Sequence, residues 1–190
     1  KSLQQCKNAE ILAVASPTPG NAETFAGEFN IPNHFTDYQQ LLELAELDMV
    51  VIGAPNHLHC EMTVAAAAAG KHVVCEKPLC LNLAEADQMI DACRTAGVKL
   101  MYAEELCFAP KYVRLKQLLE SGALGTPTLI KQSEKHSGPH ADHFWDVERS
   151  GGGVTMDMGC HAIAFFRWML GRPAIKSVYA QMNTLVHGEK

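Results

Sequence analysis

Short, nearly continuous apolar runs alternate with stretches of helical spacing through the first half of the chain, and this alternation limits the fold more than any other feature. Residues 11–16, 49–53, 72–75 and 99–102 are largely aliphatic or β-branched and show no polar face, as strands covered on both sides should be. Helical stretches fill the gaps. Residues 21–29 follow a Pro-Gly turn, Asp37 can N-cap 38–46, the Ala-rich 61–69 end at Gly70, and Asn82 can cap 83–96 before Gly97. Strand–helix–strand units with right-handed crossovers make a twisted parallel sheet, and such sheets bind ligands beyond the carboxyl ends of their strands.

The pattern changes after about residue 105. A helix is expected over 110–120, with Pro110 in its first turn and Gly122 beyond its end. There follow an extended stretch at 126–135, a polar loop at 136–150, a helix over 153–170 stopped by Gly171 and Pro173, and an alternating run at 175–186 that reads as a strand. One long helix against separate strands predicts an α+β domain with a mainly antiparallel sheet. Two strands alone make a poor sheet, so that sheet is expected to be incomplete here. The opening Lys1-Ser2-Leu3-Gln4-Gln5 reads like the tail of a helix already under way and has no initiating Met. The expectation is an α/β chain cut short at both ends, with a partial parallel-sheet domain at 1–105 and a partial second domain at 106–190.

Composition removes several classes of function. A net charge of −5 without a Lys/Arg cluster gives no footprint for nucleic acid or anionic lipid. No run approaches the roughly 18 apolar residues of a membrane span. Seven scattered cysteines, odd in number and without a CxxC pair, fit reduced thiols in the cytoplasm rather than a disulfide framework.

Two segments carry chemistry. Pro55-Asn56-His57-Leu58-His59 and, after the Ala-rich helix, Gly70 to Leu79 with its Glu76-Lys77-Pro78, both fall at strand carboxyl ends. A lysine partly shielded from water there can donate to an oxygen that gains negative charge, although a solvated salt bridge is the plainer reading of an isolated Glu-Lys-Pro. Gly151-Gly152-Gly153 then lead into Asp157 and His161, four residues apart and so on one face of a continuous helix. A carboxylate beside an imidazole fixes its orientation and stabilises its protonated form, which makes a general base; the alternative is a pair that merely supports the helix.

Together these segments resemble the Gfo/Idh/MocA oxidoreductase family, through Gly-Lys-His-Val-Val-Cys-Glu-Lys-Pro-Leu at 70–79, Ser-Gly-Gly-Gly at 150–153, and Asp157-Met-Gly-Cys-His161 leading to Trp168-Met-Leu-Gly171. The resemblance implies a Rossmann-type sheet, here without its first strand, that binds NAD or NADP, and a second domain whose open sheet often mediates assembly into a homo-oligomer. It also implies hydride transfer between the nicotinamide and a secondary alcohol of a sugar, cyclitol or polyol. Lys77 would contact the reacting hydroxyl, Asp157 would position groups around it, and His161 would exchange its proton. Pro55, Asn56, His59, Glu76 and Lys77 would line the cofactor, with a cis Lys77–Pro78 bond. The family's GxGxxG turn is not among these residues, so tight dinucleotide binding by these 190 alone is not expected. Ser16 stands where an acid would hold the NAD ribose and no Arg follows for a 2′-phosphate, leaving NAD or NADP open. Cys107-Phe108 and Ala164 replace an Arg-Phe pair and an acid common in relatives.

Weaker signals surround this core. Tyr102, Glu104 and Glu105 follow the last strand of the first half and either face the same cleft or lie on the surface. His136, His140 and His143 suit hydrogen bonds to a polyhydroxylated substrate; their spacing, even with His161, matches no recognised metal pattern, and no metal is expected. Trp145 either covers the nicotinamide or belongs to the core. Two other functions are carried forward: glycoside hydrolysis through transient redox chemistry with a held NAD, and a non-catalytic protein that senses the cofactor or binds a partner.

Overall fold

The computed structural model describes residues 3–135, 137–139, 141–184 and 188. Strands β1 (Ala13–Ala15) and β2 (Asn33–Phe35) pair in parallel, with Ala13 opposite Asn33 and Ala15 opposite Phe35. A separate parallel sheet has the order β3 (Met49–Ile52), β4 (His72–Glu76), β5 (Leu100–Ala103). Helices α1 (Asn21–Phe29), α3 (His59–Ala68) and α4 (Leu83–Ala96) make the crossovers that parallel neighbours require. The short α2 (Tyr38–Leu42) starts where Asp37 accepts from the Gln39 N–H, then loosens into turns well short of residue 46. The strand β2 is absent from the sequence reading because Asn33-His34-Phe35 is a polar, partly exposed edge segment without an apolar run.

Contacts divide the chain into two units. The first comprises Lys1–Ile52, Cys60–Val74 and Asp87–Met101. Its buried side chains include Ala22 and Ala26 on α1, Ala66 and Ala67 on α3, Val73 on β4 and Met89 on α4. Small alanines let helices approach a sheet closely, which is what the Ala-rich stretch supplies. The second unit comprises Gly53–His59, Cys75–Ala86 and Tyr102–Lys190, and so includes the segments that leave the carboxyl ends of β3, β4 and β5.

In the second unit α5 (Pro110–Glu120) has the bounds its sequence predicts. The helix expected over 153–170 is broken into α7 (Val154–Asp157) and α8 (Gly159–Met169), with Met158 between them, and a further short helix, α6 (Val147–Ser150), forms within the expected 136–150 loop. A face of α8 buries His161, Phe165 and Met169 at four-residue intervals. Phe165 packs on Tyr112 of α5 with ring centroids 4.7 Å apart, and Lys116 donates to the Met169 carbonyl at the end of α8.

The antiparallel sheet expected after residue 105 is not formed among the described residues. Residues 126–135 and 175–184 carry no ladder, and 185 and 186 lie outside the described set. Strand-like composition supplies side chains but not partners, and a strand exists only where a neighbour takes its N–H and C=O groups. Leu129, Val178 and Tyr179 are accordingly 71%, 82% and 90% exposed. Among the described residues no helix is long and apolar enough to cross a membrane.

Candidate active site

Lys77 follows the last residue of β4, and its peptide bond to Pro78 is cis. Its Nζ donates to Asp157 Oδ1 at 2.7 Å and to the Asp157 carbonyl at 3.1 Å. That carbonyl is available because α7 ends at Asp157, and it also accepts from the Cys160 thiol at 3.2 Å. A cation at a helix C-terminus is favoured by the peptide dipoles as well as by the carboxylate. Burial alone would lower the lysine pKa. The hydrogen bond and charge of Asp157, with smaller help from Cys160 and Glu105, outweigh it and hold Lys77 above the usual value. Lys77 is therefore a charged donor at neutral pH.

His161 enters from the buried face of α8. Its Nδ1 lies 2.8 and 3.0 Å from the two oxygens of Glu104, and its Nε2 lies 3.7 Å from Glu105 Oε1. The His161 and Glu104 side chains are each only 6% exposed, whereas Glu105 is 64% exposed. The expected interaction of Asp157 with His161 gives way to two separate pairs. Four-residue spacing brings side chains together only on an unbroken helix, and the turn at Met158 sends Asp157 to Lys77 and leaves His161 to Glu104.

Cys160 and Tyr102 lie beside these pairs, near enough for each to perturb the other. Burial pushes both groups up, with Lys77 pulling the thiol partly back, so each is protonated at neutral pH. Tyr102 thus packs against the site, and Glu105 at the strand end is the more solvent-facing of the two carboxylates.

The loops around this centre are tied down by buried polar groups. Asn56, 3% exposed, donates to the Ser150 carbonyl at 2.8 Å. His59, 1% exposed, has its ring nitrogens 2.9 Å from the Pro78 carbonyl and 2.8 Å from the Ala54 carbonyl. The resemblance implies that both line the cofactor, and here both also contact main chain: the Asn56 amide donates to the Ser150 carbonyl, and the neutral His59 ring can donate to one of its two neighbouring carbonyls. The contact of His59 with the Pro78 carbonyl brings the loop that contains Pro55 to the one that contains Pro78. Glu76 is exposed and accepts from the Lys77 N–H at 3.1 Å. Gly151 has φ +80°, and a Cβ there would lie 2.8 Å from Leu81 Cδ2 and 3.2 Å from Leu81 Cα.

The remaining expected residues are less tightly grouped. Trp145, 37% exposed, ends the short 3-10 turn Asp142–Trp145. His143 in the same turn stacks on Phe144, and burial, then the charge of Arg149, lower its pKa. His136 and His140 lie outside the described residues. Ser16 follows β1, donates its N–H to the Phe35 carbonyl, and lines a recess of about 410 Å³ with Asn21, Thr24, Phe25 and Glu28. Sequence reasoning left Glu104 without a partner. Its signal was its position directly after β5, where a strand end delivers a side chain to a ligand-binding loop.

The arrangement sets a held ammonium just after β4 and a buried imidazole, on α8, against the carboxylate that follows β5. Residues 1–104 match the profile "Oxidoreductase family, NAD-binding Rossmann fold" and residues 112–190 match "GFO/IDH/MocA C-terminal domain". The chain belongs to the GFO/IDH/MocA oxidoreductase family.

Myo-inositol 2-dehydrogenase of Thermotoga maritima is 28% identical, across 100% of this chain and 55% of its own length. D-xylose 1-dehydrogenase (NADP(+)) 2 of Haloferax volcanii is 37% identical over 89% of this chain and 52% of its own. A levoglucosan dehydrogenase solved in complex with NADH and levoglucosan superposes with a TM-score of 0.74 at 30% identity, over 85% of this chain and 45% of that one. The chain spans about half the length of the curated relatives it matches.

Proposed function

We propose that this chain is the cofactor-and-catalysis portion of an oxidoreductase that transfers a hydride between NAD or NADP and a secondary alcohol of a sugar, cyclitol or polyol. The observation that carries the reading is the Lys77–Asp157 pair, a charged donor fixed at 2.7 Å beside a buried histidine. In this reading residues 1–105 form the nucleotide-binding part and 106–190 the substrate and assembly part of a homo-oligomer. Seven cysteines, odd in number and without a CxxC pair, suit a reducing cytoplasm.

The recess beside Ser16, with its hydroxyl, amide and carboxylate groups, supports a ribose-binding role for that part of the chain. Separately, His59 supports the loop that contains Pro55 against the one that contains Pro78. Nicotinamide, when bound, supplies the hydride acceptor or donor. The chain's own groups manage the oxygen and its proton. Lys77 Nζ donates to the substrate oxygen as negative charge develops on it, Asp157 holds the ammonium in place, and His161 takes the hydroxyl proton. Tyr102, Glu105, His140 and His143 are assigned to the remaining hydroxyls of the substrate, and Trp145 to the nicotinamide face.

The test uses the longest natural form of the protein. Titration with NADH and with NADPH, followed by nicotinamide fluorescence, should saturate with at least one of them and identify the preferred cofactor. Lys77→Ala and His161→Ala should each lower kcat by about 10²- to 10⁴-fold while cofactor affinity changes little. A double variant that keeps its full rate would end the assignment.

A further inference from the structure

We propose that Glu104 is the positioning residue for His161, with its carboxylate accepting a hydrogen bond from Nδ1–H so that Nε2 is the atom that exchanges a proton with the substrate. This rests on the oxidoreductase reading for the role of His161, and adds the carboxylate that sets which nitrogen does the work. An ionised carboxylate only accepts hydrogen bonds. With both Glu104 oxygens within 3.0 Å of Nδ1 and the two side chains 6% exposed, that nitrogen carries the hydrogen. A neutral imidazole has a single N–H, so the lone pair falls on Nε2.

Glu104 is suited to the task because it is itself clamped. Its Oε1 also accepts from the Leu106 N–H at 3.3 Å, where the carboxylate caps the 3-10 turn Glu105–Phe108 immediately after β5. His161 is fixed from the other side by the burial of Phe165 and Met169 on the same helical face. Asp157, the carboxylate that sequence spacing nominates, is occupied with Lys77. When the substrate hydroxyl gives its proton to Nε2, the new imidazolium stands against a buried negative charge, and Glu104 neither gains nor loses a proton.

Glu104, Cys160 and His161 also place their ligand atoms within 4.8 Å of one another, which raises a metal site as a rival. The distances favour the hydrogen bond. Ligands about 2.1 Å from a shared tetrahedral ion stand roughly 3.4 Å apart, well beyond the observed contact. The thiol is moreover held protonated by its burial, and a metal needs it as thiolate.

Two measurements on the longest natural form test the proposal. Nitrogen-15 NMR of the histidine rings, with the His161 signals identified by their loss in His161→Asn, should show His161 protonated at Nδ1 and bare at Nε2. Glu104→Gln should lower kcat by about 100-fold or more with KM and nicotinamide affinity changed less than about threefold, and Glu104→Asp should recover part of the loss. A wild-type His161 protonated at Nε2, or a folded Glu104→Gln variant with wild-type kcat, would overturn the assignment. The NMR result needs no turnover: an Nδ1–H tautomer in a protein that binds no nicotinamide would support Glu104 while sinking the oxidoreductase reading.

Discussion

Gly151 shows how much one residue contributes without any functional group. It combines φ +80° with an approach to Leu81 too close for a Cβ, so that the chain leading to α7 can lie against the segment after Pro78. Gly151→Ala should cost about 2 kcal/mol or more, from left-handed backbone strain and displacement of Leu81 together, read as a lower urea midpoint in chemical unfolding. At this scale the sequence singles out residues by type and place but does not state their partners: Lys77 by its position at a strand end, Asp157 and His161 by their four-residue spacing. That Asp157 serves Lys77 while Glu104 serves His161 depends on a backbone turn that no residue pattern states outright. His59 looks like a ligand-facing histidine, yet main-chain carbonyls stand within 2.9 Å of both its ring nitrogens.

Among the elements, α4 is defined by its first turn. Asn82 Oδ1 accepts from the Glu85 N–H, and the Glu85 carboxylate accepts in return from the Leu81 N–H and the Asn82 amide. This reciprocal cap fixes both the helix start and the approach of the chain from Pro78, so Asn82→Ala should lower stability by about 1 kcal/mol in thermal or urea unfolding. This cap made α4 readable to the residue, and Pro110 in the first turn did the same for α5, because both signals are local. The break between α7 and α8 was not readable from periodicity, since apolar residues continue across it. Gly159 was the available hint, as glycine inside a helix costs about 1 kcal/mol relative to alanine. The strand β2 escaped notice for the opposite reason: a polar edge segment earns its ladder from its neighbour β1 rather than from its own composition.

For the whole molecule, the alternating grammar of the first half correctly indicates a parallel sheet with helical crossovers, because that pattern follows from burial on both faces. The second half was less legible. Its two strand-like runs express a need for partners, and among the described residues they find none. The two sheets of the first half have a related consequence for how the protein behaves as a material. Among the described residues the strands β1 and β3 each have a ladder neighbour on one side only, and β3 leaves Met49 and Val51 42% and 52% exposed with no charge among its residues. An uncharged apolar strand with a row of open N–H and C=O groups is a template for intermolecular pairing. The 190-residue chain should therefore be colloidally fragile, growing in mass with concentration in sedimentation experiments, and Val51→Lys should suppress that growth by making edge-to-edge addition repulsive. The expected self-association thus depends on a sheet margin and not on Lys77, Asp157 or His161.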